Sequence, residues 1–288
     1  MKHEFSFGVV ADCQAADADD FTGKIRGTND EFTNCYRLSP YKLEEAVRTF
    51  NEFDLEYIIH LGDFVDRSLR DADRLHRIMG RATAPLLHVL GNHEFWNHDS
   101  LDTVLAAYNM ESNYYSKRVN GNRLILLDTC DLGVLEHPDG SPEWKRGRAL
   151  LDLMQKNNVI NAYYWNGGIG ERQMEWLDNE LLDAAEHDEK AILFAHHPVF
   201  PPGTLNALND NEIMQMIDNH DNVAAFINGH NHGGNYGVRN GVSYVTIEGM
   251  LSGKTNAYGI VDVYGDRLEI NGYGRVPSRV LQVQHQAR

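Results

Sequence analysis

Pro85-Leu86-Leu87-His88-Val89-Leu90-Gly91-Asn92-His93-Glu94 joins an apolar run to a cluster of metal-binding and acidic side chains. A strand of this kind delivers its last side chains beyond the carboxyl end of a sheet, where open α/β sheets keep their ligands. The same grammar recurs four times. Phe7-Gly8-Val9-Val10-Ala11 stops at Asp12, Tyr57-Ile58-Ile59-His60-Leu61-Gly62 at Asp63, Ala191-Ile192-Leu193-Phe194-Ala195 at His196, and Ala224-Ala225-Phe226-Ile227-Asn228-Gly229 at His230. Five strands are therefore expected to converge on one site.

Helical periods separate these runs. Ser39-Pro40 opens a helix, with Ser as cap and Pro at its first position, and Leu43, Ala46, Val47 and Phe50 as its buried face. Leu69, Ala72, Leu75, Ile78 and Met79 mark a second helix, and a third is expected over 99–108. A strand from Arg123 to Asp128 precedes a polar insertion over 131–170, which holds a short helix over 148–156 and closes with Asn166-Gly167-Gly168. Leu177, Leu181, Leu182 and Ala185 turn the following helix toward a sheet. This alternation implies right-handed crossovers and mainly parallel pairing. From Val242 the texture changes: Val242–Ile247, Gly259–Val263 and Arg267–Tyr273 read as C-terminal antiparallel strands over 242–275. The irregular stretch 15–38 reads as a cleft wall, since loops that long are uncommon unless they cover or bind something. The expected fold is an α/β sandwich, two mixed sheets face to face between helices (αββα), in one domain spanning 1–288.

The chain has 288 residues, 42% hydrophobic and 24% charged, which is ordinary for a globular protein. No run approaches the ~18 apolar residues a membrane span requires. The first strand follows Met1-Lys2-His3-Glu4 directly, leaving no room for a leader. Cys13, Cys35 and Cys130 lack ligand spacing and read as reduced thiols. A cytoplasmic location without a membrane partner is expected. The net charge of −16 argues against a nucleic-acid polymer, which needs a basic stripe to displace counterions. A small phosphorylated substrate is compatible, because bound cations invert the field of an acidic cleft. Nothing in the sequence speaks to oligomeric state.

Collected in order, the strand-end residues are Asp12, Gln14, Asp63, Asn92, His93, His196, His230 and His232. Carboxylate, amide and imidazole donors together suit Mn, Fe, Zn or a similar divalent ion. Their number exceeds the need of one ion and fits two ions about 3.5–4 Å apart, the arrangement that clamps attacking and leaving oxygens in phosphoryl hydrolysis. Taken singly, each block has a duller reading: Gly-Asp as a turn, Asn-His as a helix cap, a core His as a hydrogen-bonded one.

Asp12-Cys13-Gln14, Gly62-Asp63-Phe64-Val65-Asp66, Gly91-Asn92-His93-Glu94, His196-His197-Pro198 and Gly229-His230-Asn231-His232 resemble the five ordered signature blocks of the calcineurin-like metallophosphoesterases. Gln14 stands where most members carry His. That departure is similar to the manganese-dependent ADP-ribose/CDP-alcohol diphosphatases, as are Phe95-Trp96-Asn97, Asn166-Gly167-Gly168 followed by Gln173 and Trp176-Leu177, Glu248-Gly249, and Gly274-Arg275-Val276-Pro277-Ser278-Arg279. The resemblance implies that Asp12, Gln14 and His232 serve one metal, that Asn92, His196 and His230 serve the other, and that Asp63 bridges them. A hydroxide generated at the metals would attack phosphorus, His93 would donate to the phosphoryl or leaving oxygen, and Asp66 would orient His93 or merely cap the following helix. An amide donor at Gln14 favours Mn or Mg over Zn.

Substrate contacts are expected from Arg37, from the Asn166, Gly167 and Gly168 backbone, and from His197, which faces the cleft or packs behind it. Asn29-Asp30-Glu31 and Asn34-Cys35 replace basic residues of the resembled family, and Gly203-Thr204-Leu205-Asn206 lacks its aromatic. The implied reaction is hydrolysis of ADP-ribose or CDP-alcohols. The alternatives are a cyclic nucleotide or glycerophosphodiester phosphodiesterase, and a non-catalytic scaffold.

Overall fold

The structure, a computed structural model, describes residues 2–24 and 31–283; Gly27 and Asn29-Asp30 of the expected cleft wall lie outside them. β1 (His3–Val10) turns Phe5, Phe7 and Val9 to one face and Val10 to the other. On one side it pairs in parallel with β4 (Tyr57–Leu61), which pairs in parallel with β5 (Leu86–Val89). On the other side β12 (Ala257–Tyr264), β13 (Arg267–Gly274) and β14 (Arg279–Gln282) add antiparallel strands. In the second sheet β7 (Asn122–Leu126), β8 (Lys190–Phe194), β9 (Val223–Asn228) and β11 (Val242–Thr246) run parallel. Its edges are the antiparallel β6 (Tyr115–Val119) and β10 (Asn235–Arg239).

The inward faces meet in a shared core in which Phe7, Val9, Ile59 and Leu61 oppose Leu126, Ile192, Phe194 and Ile227. Phe7 and Phe194 touch edge to face across the sandwich at 5.4 Å. Burying each such side chain contributes about 1.5–3 kcal/mol. α1 (Ser39–Phe50), α2 (Ala72–Met79) and α3 (Leu101–Tyr108) cover the first sheet through Phe50, Leu75 and Val104. α5 (Glu171–Glu186) and α6 (Asp210–Asp218) cover the second through Leu177, Leu181 and Ile213. The result is the four-layer arrangement of two mixed sheets between helices.

Several local expectations are corrected. Ser39 does not cap α1: the helix follows Leu38 without a side-chain cap bond, and the Ser39 hydroxyl is buried without a partner. The Ser-Pro signature works instead at α4 (Pro142–Lys156), where Ser141 Oγ accepts the Trp144 N–H at 3.1 Å, so this helix begins well before residue 148. Leu182 is exposed on α5, whose buried face is Gln173, Leu177, Leu181 and Ala184. The expected antiparallel set after Val242 splits, with β11 in the second sheet beside β9 while β12 and β13 join the first. The 15–38 stretch contains a hairpin, β2 (Phe21–Lys24) against β3 (Glu31–Asn34).

Candidate metal centre

The chain leaves the strands in an unusual backbone conformation. Asp12, Gln14, Asp63 and His230 all have positive φ, at 51°, 40°, 57° and 64°. Non-glycine residues hold this conformation at about 1–3 kcal/mol each, and only where surrounding structure imposes it. Each turn swings a donor side chain into the gap between the two sheets. Gly91 makes room for the central one, since a Cβ there would lie 2.2 Å from Asp63 Oδ1.

Asp63 sits in the middle. Its Oδ1 accepts the His93 N–H at 2.9 Å, and its Oδ2 accepts from Gln14 Nε2 at 2.7 Å and lies 3.3 Å from His196 Nε2. The Asp12 carboxylate accepts the His230 N–H at 3.1 Å and lies 3.4 Å from His232 Nε2. His196 donates Nδ1–H to the Leu61 carbonyl at 2.8 Å, and His230 donates Nε2–H to Asn166 Oδ1 at 3.0 Å. Those bonds leave a lone pair on His196 Nε2 and another on His230 Nδ1, only 3.1 Å apart, with Asn92 Oδ1 also 3.1 Å from His196 Nε2. Acceptors facing one another at this distance repel unless a proton or a metal ion lies between them. Histidines that donate one ring N–H to a fixed oxygen and aim the other nitrogen inward are the usual metal-holding arrangement. Oxygen and nitrogen donors in this mixture fit a hard to borderline divalent ion.

The electrostatics ask for positive charge in the same place. Burial would lower the pKa of His196, but the charges of Asp63 and Asp12 outweigh it and raise it to about 9. Burial would raise Asp63, whereas His196 and His93 hold it well below the carboxylate range. A bound divalent cation supplies this charge and displaces the proton.

His93 stands at the rim. Its Nδ1–H donates to the Asp66 carbonyl at 2.6 Å and lies 3.2 Å from Asp66 Oδ1, its ring stacks on Trp96 at 5.0 Å, and its Nε2 faces Asp63 Oδ2 at 3.9 Å. Burial works against its imidazolium, yet Asp63 and Asp66 raise its pKa to about 9.

Other expected contacts land differently. Asn166 meets His230, and its Nδ2 donates to the Asn161 and Thr204 carbonyls at 2.9 Å each, so it orients a histidine. Gly167 and Gly168 are buried, and the Gly167 N–H donates to His197 Nε2 at 3.3 Å, so it is not free to meet a phosphate. A Cβ on Gly167 would strike the Thr129 carbonyl at 2.2 Å: the glycine answers a packing demand. His197 packs behind the centre between Thr129 and residues 165–167, and burial lowers its pKa to about 3. Arg37 is exposed and forks between Asp17 and Asp19 at 2.6 Å each.

Glu94 had no assigned role in the sequence beyond its place in the block. Its buried carboxylate accepts from the Gly91, Asp63 and Phe64 amides at 2.7, 3.0 and 2.6 Å and from the Tyr108 hydroxyl at 2.9 Å. It thereby locks the loops after β4 and β5 together. Only their spatial adjacency, which no local pattern carries, could have revealed it.

Residues 5–234 match the family model described as calcineurin-like phosphoesterase. Proteins named manganese-dependent ADP-ribose/CDP-alcohol diphosphatase from Arabidopsis thaliana and Homo sapiens are each 30% identical to the chain, covering 95% and 96% of it and 96% and 92% of their own lengths. The crystal structure of a dimetal phosphatase from Danio rerio superposes with a TM-score of 0.87 at 26% identity, covering 98% of this chain and 100% of that one.

Proposed function

The chain belongs to the calcineurin-like phosphoesterase family, and on that premise we propose that it is a binuclear metal-dependent phosphohydrolase of small nucleoside diphosphate compounds. ADP-ribose and CDP-alcohols are its substrates in this reading and manganese its preferred metal, in line with the names of its relatives. The observation that carries the reading is the set of inward lone pairs of His196, His230 and Asn92 around the Asp63 carboxylate. Asp12, Gln14 and His232 hold one ion, Asn92, His196 and His230 hold the other, and Asp63 lies between the two sets.

Bound ions polarise a phosphoryl oxygen and make a water nucleophilic near neutral pH. The protein's own part is placement and a proton. His93 is held by Asp66 with Nε2 toward the centre, where it donates its proton to the oxygen leaving phosphorus as the P–O–P link breaks. Water oxygen joins phosphorus as the P–O–P bond breaks, the proton it releases passes to solvent, from which His93 is reprotonated, and the products are a nucleoside monophosphate and a second phosphorylated fragment. Gln14 cannot be protonated near neutral pH, which keeps its amide oxygen available as a hard donor and supports Mn over Zn. The same reading treats the chain as one domain, because strands from both ends of it share the central core. The three free, buried cysteines support a cytoplasmic location. No helix among the described residues is long and apolar enough to cross a membrane.

The test is product analysis of Mn-loaded protein on ADP-ribose, CDP-choline, cyclic AMP and an aryl phosphodiester. Release of AMP and CMP from the two diphosphates is expected. Turnover confined to the diesters would overturn the substrate reading, and metal-loaded protein inert on all four would overturn the catalytic one.

A further inference from the structure

The loop that leaves β7 gathers a second set of donors outside the centre described above. Asp128 is buried, and its two oxygens accept the Cys130 N–H at 2.8 Å and Asn113 Nδ2 at 2.7 Å. Asp131 Oδ2 accepts the Gly170 N–H at 3.0 Å and Gln173 Nε2 at 3.1 Å. Glu136 is only 3% exposed, yet its Oε2 has no hydrogen-bond partner. His137 donates Nε2–H to the Asp131 carbonyl at 2.7 Å, which leaves its Nδ1 with a lone pair. One donor atom from each of Asp131, Glu136 and His137 lies within 4.8 Å of the other two.

An orphaned, buried carboxylate oxygen beside two more carboxylates lacks the positive partner that burial of charge requires. Burial and the charge of Asp131 push both Asp128 and Glu136 upward, and Asp128 pushes Glu136 up further while a hydrogen bond from Glu136 holds Asp128 down. A proton on Glu136, shared with Asp128, removes one of the three negative charges and leaves the other two unbalanced. A divalent cation balances the charge that remains, and the partly exposed Asp131 and His137 leave it a way in.

We propose that Asp131, Glu136 and His137 bind a further divalent cation of the Mn²⁺ class, the class to which combined carboxylate and imidazole donors point. It clamps residues 131–137 to the first turn of α5, which Asp131 already holds through Gly170 and Gln173. The insertion fastened this way also carries Asn166, the residue that orients His230.

Metal-stripped protein is titrated with Mn²⁺ alone at equilibrium, and the loss of the free-ion electron paramagnetic resonance signal counts ions per chain. Wild type is expected to take one ion more than either Glu136→Gln or His137→Ala. Comparing proteins makes the result independent of how many ions the main centre holds, so this site and the proposed activity can fail separately. Glu136→Gln keeps the shape of the side chain, and His137 is only half-buried, so at least one variant is expected to fold, as circular dichroism would check. An unchanged count in a folded variant would overturn the proposal and leave a shared carboxyl proton as the explanation of the cluster.

Discussion

His93 meets Asp66 twice, through the backbone carbonyl at 2.6 Å and the carboxylate at 3.2 Å. The first contact fixes the ring, and the second adds charge that favours the imidazolium. In the proposed role these contributions separate experimentally. His93→Ala is expected to lower kcat by about 10²–10⁴-fold, the usual contribution of a positioned proton donor, while metal content stays unchanged. Asp66→Asn retains the carbonyl contact and removes the charge. Because Asp66 raises the His93 pKa, its loss lowers that pKa, and an acid that deprotonates earlier moves the basic limb of the kcat–pH profile to lower pH. A kcat–pH profile of Asp66→Asn superimposable on that of wild type would rule out this electrostatic role and leave Asp66 holding His93 through its carbonyl alone, since it caps no helix among the described residues.

At the scale of elements, β4, β5 and α2 bring three histidines together. His60 and His88 are register partners on adjacent strands, and His88 Nε2 lies 3.3 Å from His76 Nε2. Neither ring nitrogen of His60 has a hydrogen-bond partner. Burial lowers the pKa of all three, that of His60 to about 3, whereas an unfolded histidine titrates near 6.5. The folded pKa lies below the unfolded one, so the unfolded chain binds protons first, and stability falls as pH drops from about 6.5 toward 3. His60 alone contributes a slope of about 1.4 kcal/mol per pH unit in that window. His60→Leu is expected to flatten the dependence of unfolding free energy on pH between 4 and 6 by about that amount, and to raise Tm at pH 7 by removing an unsatisfied group. Equal slopes in denaturant titrations of variant and wild type would refute it. The sequence could not signal this cluster, because His60 and His88 read only as interruptions of apolar runs. By contrast, the meeting of the candidate donors was legible, since each follows a strand and the strand ends converge. Their left-handed backbone at Asp12, Gln14, Asp63 and His230 was not, because local preference reserves such φ for Gly and Asn while tertiary contacts impose it here. Pairing of β11 with β9 rather than β12 escaped for a related reason: alternation marks a strand without naming its neighbour.

Across the whole molecule, the candidate ligands divide between the two sheets. Asp12, Gln14, Asp63 and Asn92 follow strands of the first, and His196, His230 and His232 follow strands of the second. Apart from the core between the sheets, these strand ends are joined by hydrogen bonds such as His196 Nδ1–H to the Leu61 carbonyl and the Met250 N–H to the Ala11 carbonyl, at 2.8 Å each, and by charged contacts such as Asp63 with His196 and Asp12 with His232. Ions bound there tie the sheets together at the open end of the sandwich, and folding and metal binding become linked. A ligand at about 100 times its Kd stabilises the folded state by about 2.7 kcal/mol, which for a chain of 288 residues corresponds to a Tm change of about 4–5 °C. Chelation of Mn-loaded protein is therefore expected to lower Tm by that much, and re-addition of Mn²⁺ to restore it. The same drop in Glu136→Gln would assign the effect to the centre between the sheets rather than to the site on the insertion. A Tm indifferent to complete metal removal would mean that the apolar core and the charged side-chain contacts hold the cleft open to its full geometry without ions. In that case the positive φ at four ligand positions would have to be maintained by the surrounding loops alone, with Glu94 and its four donors as the first place to look.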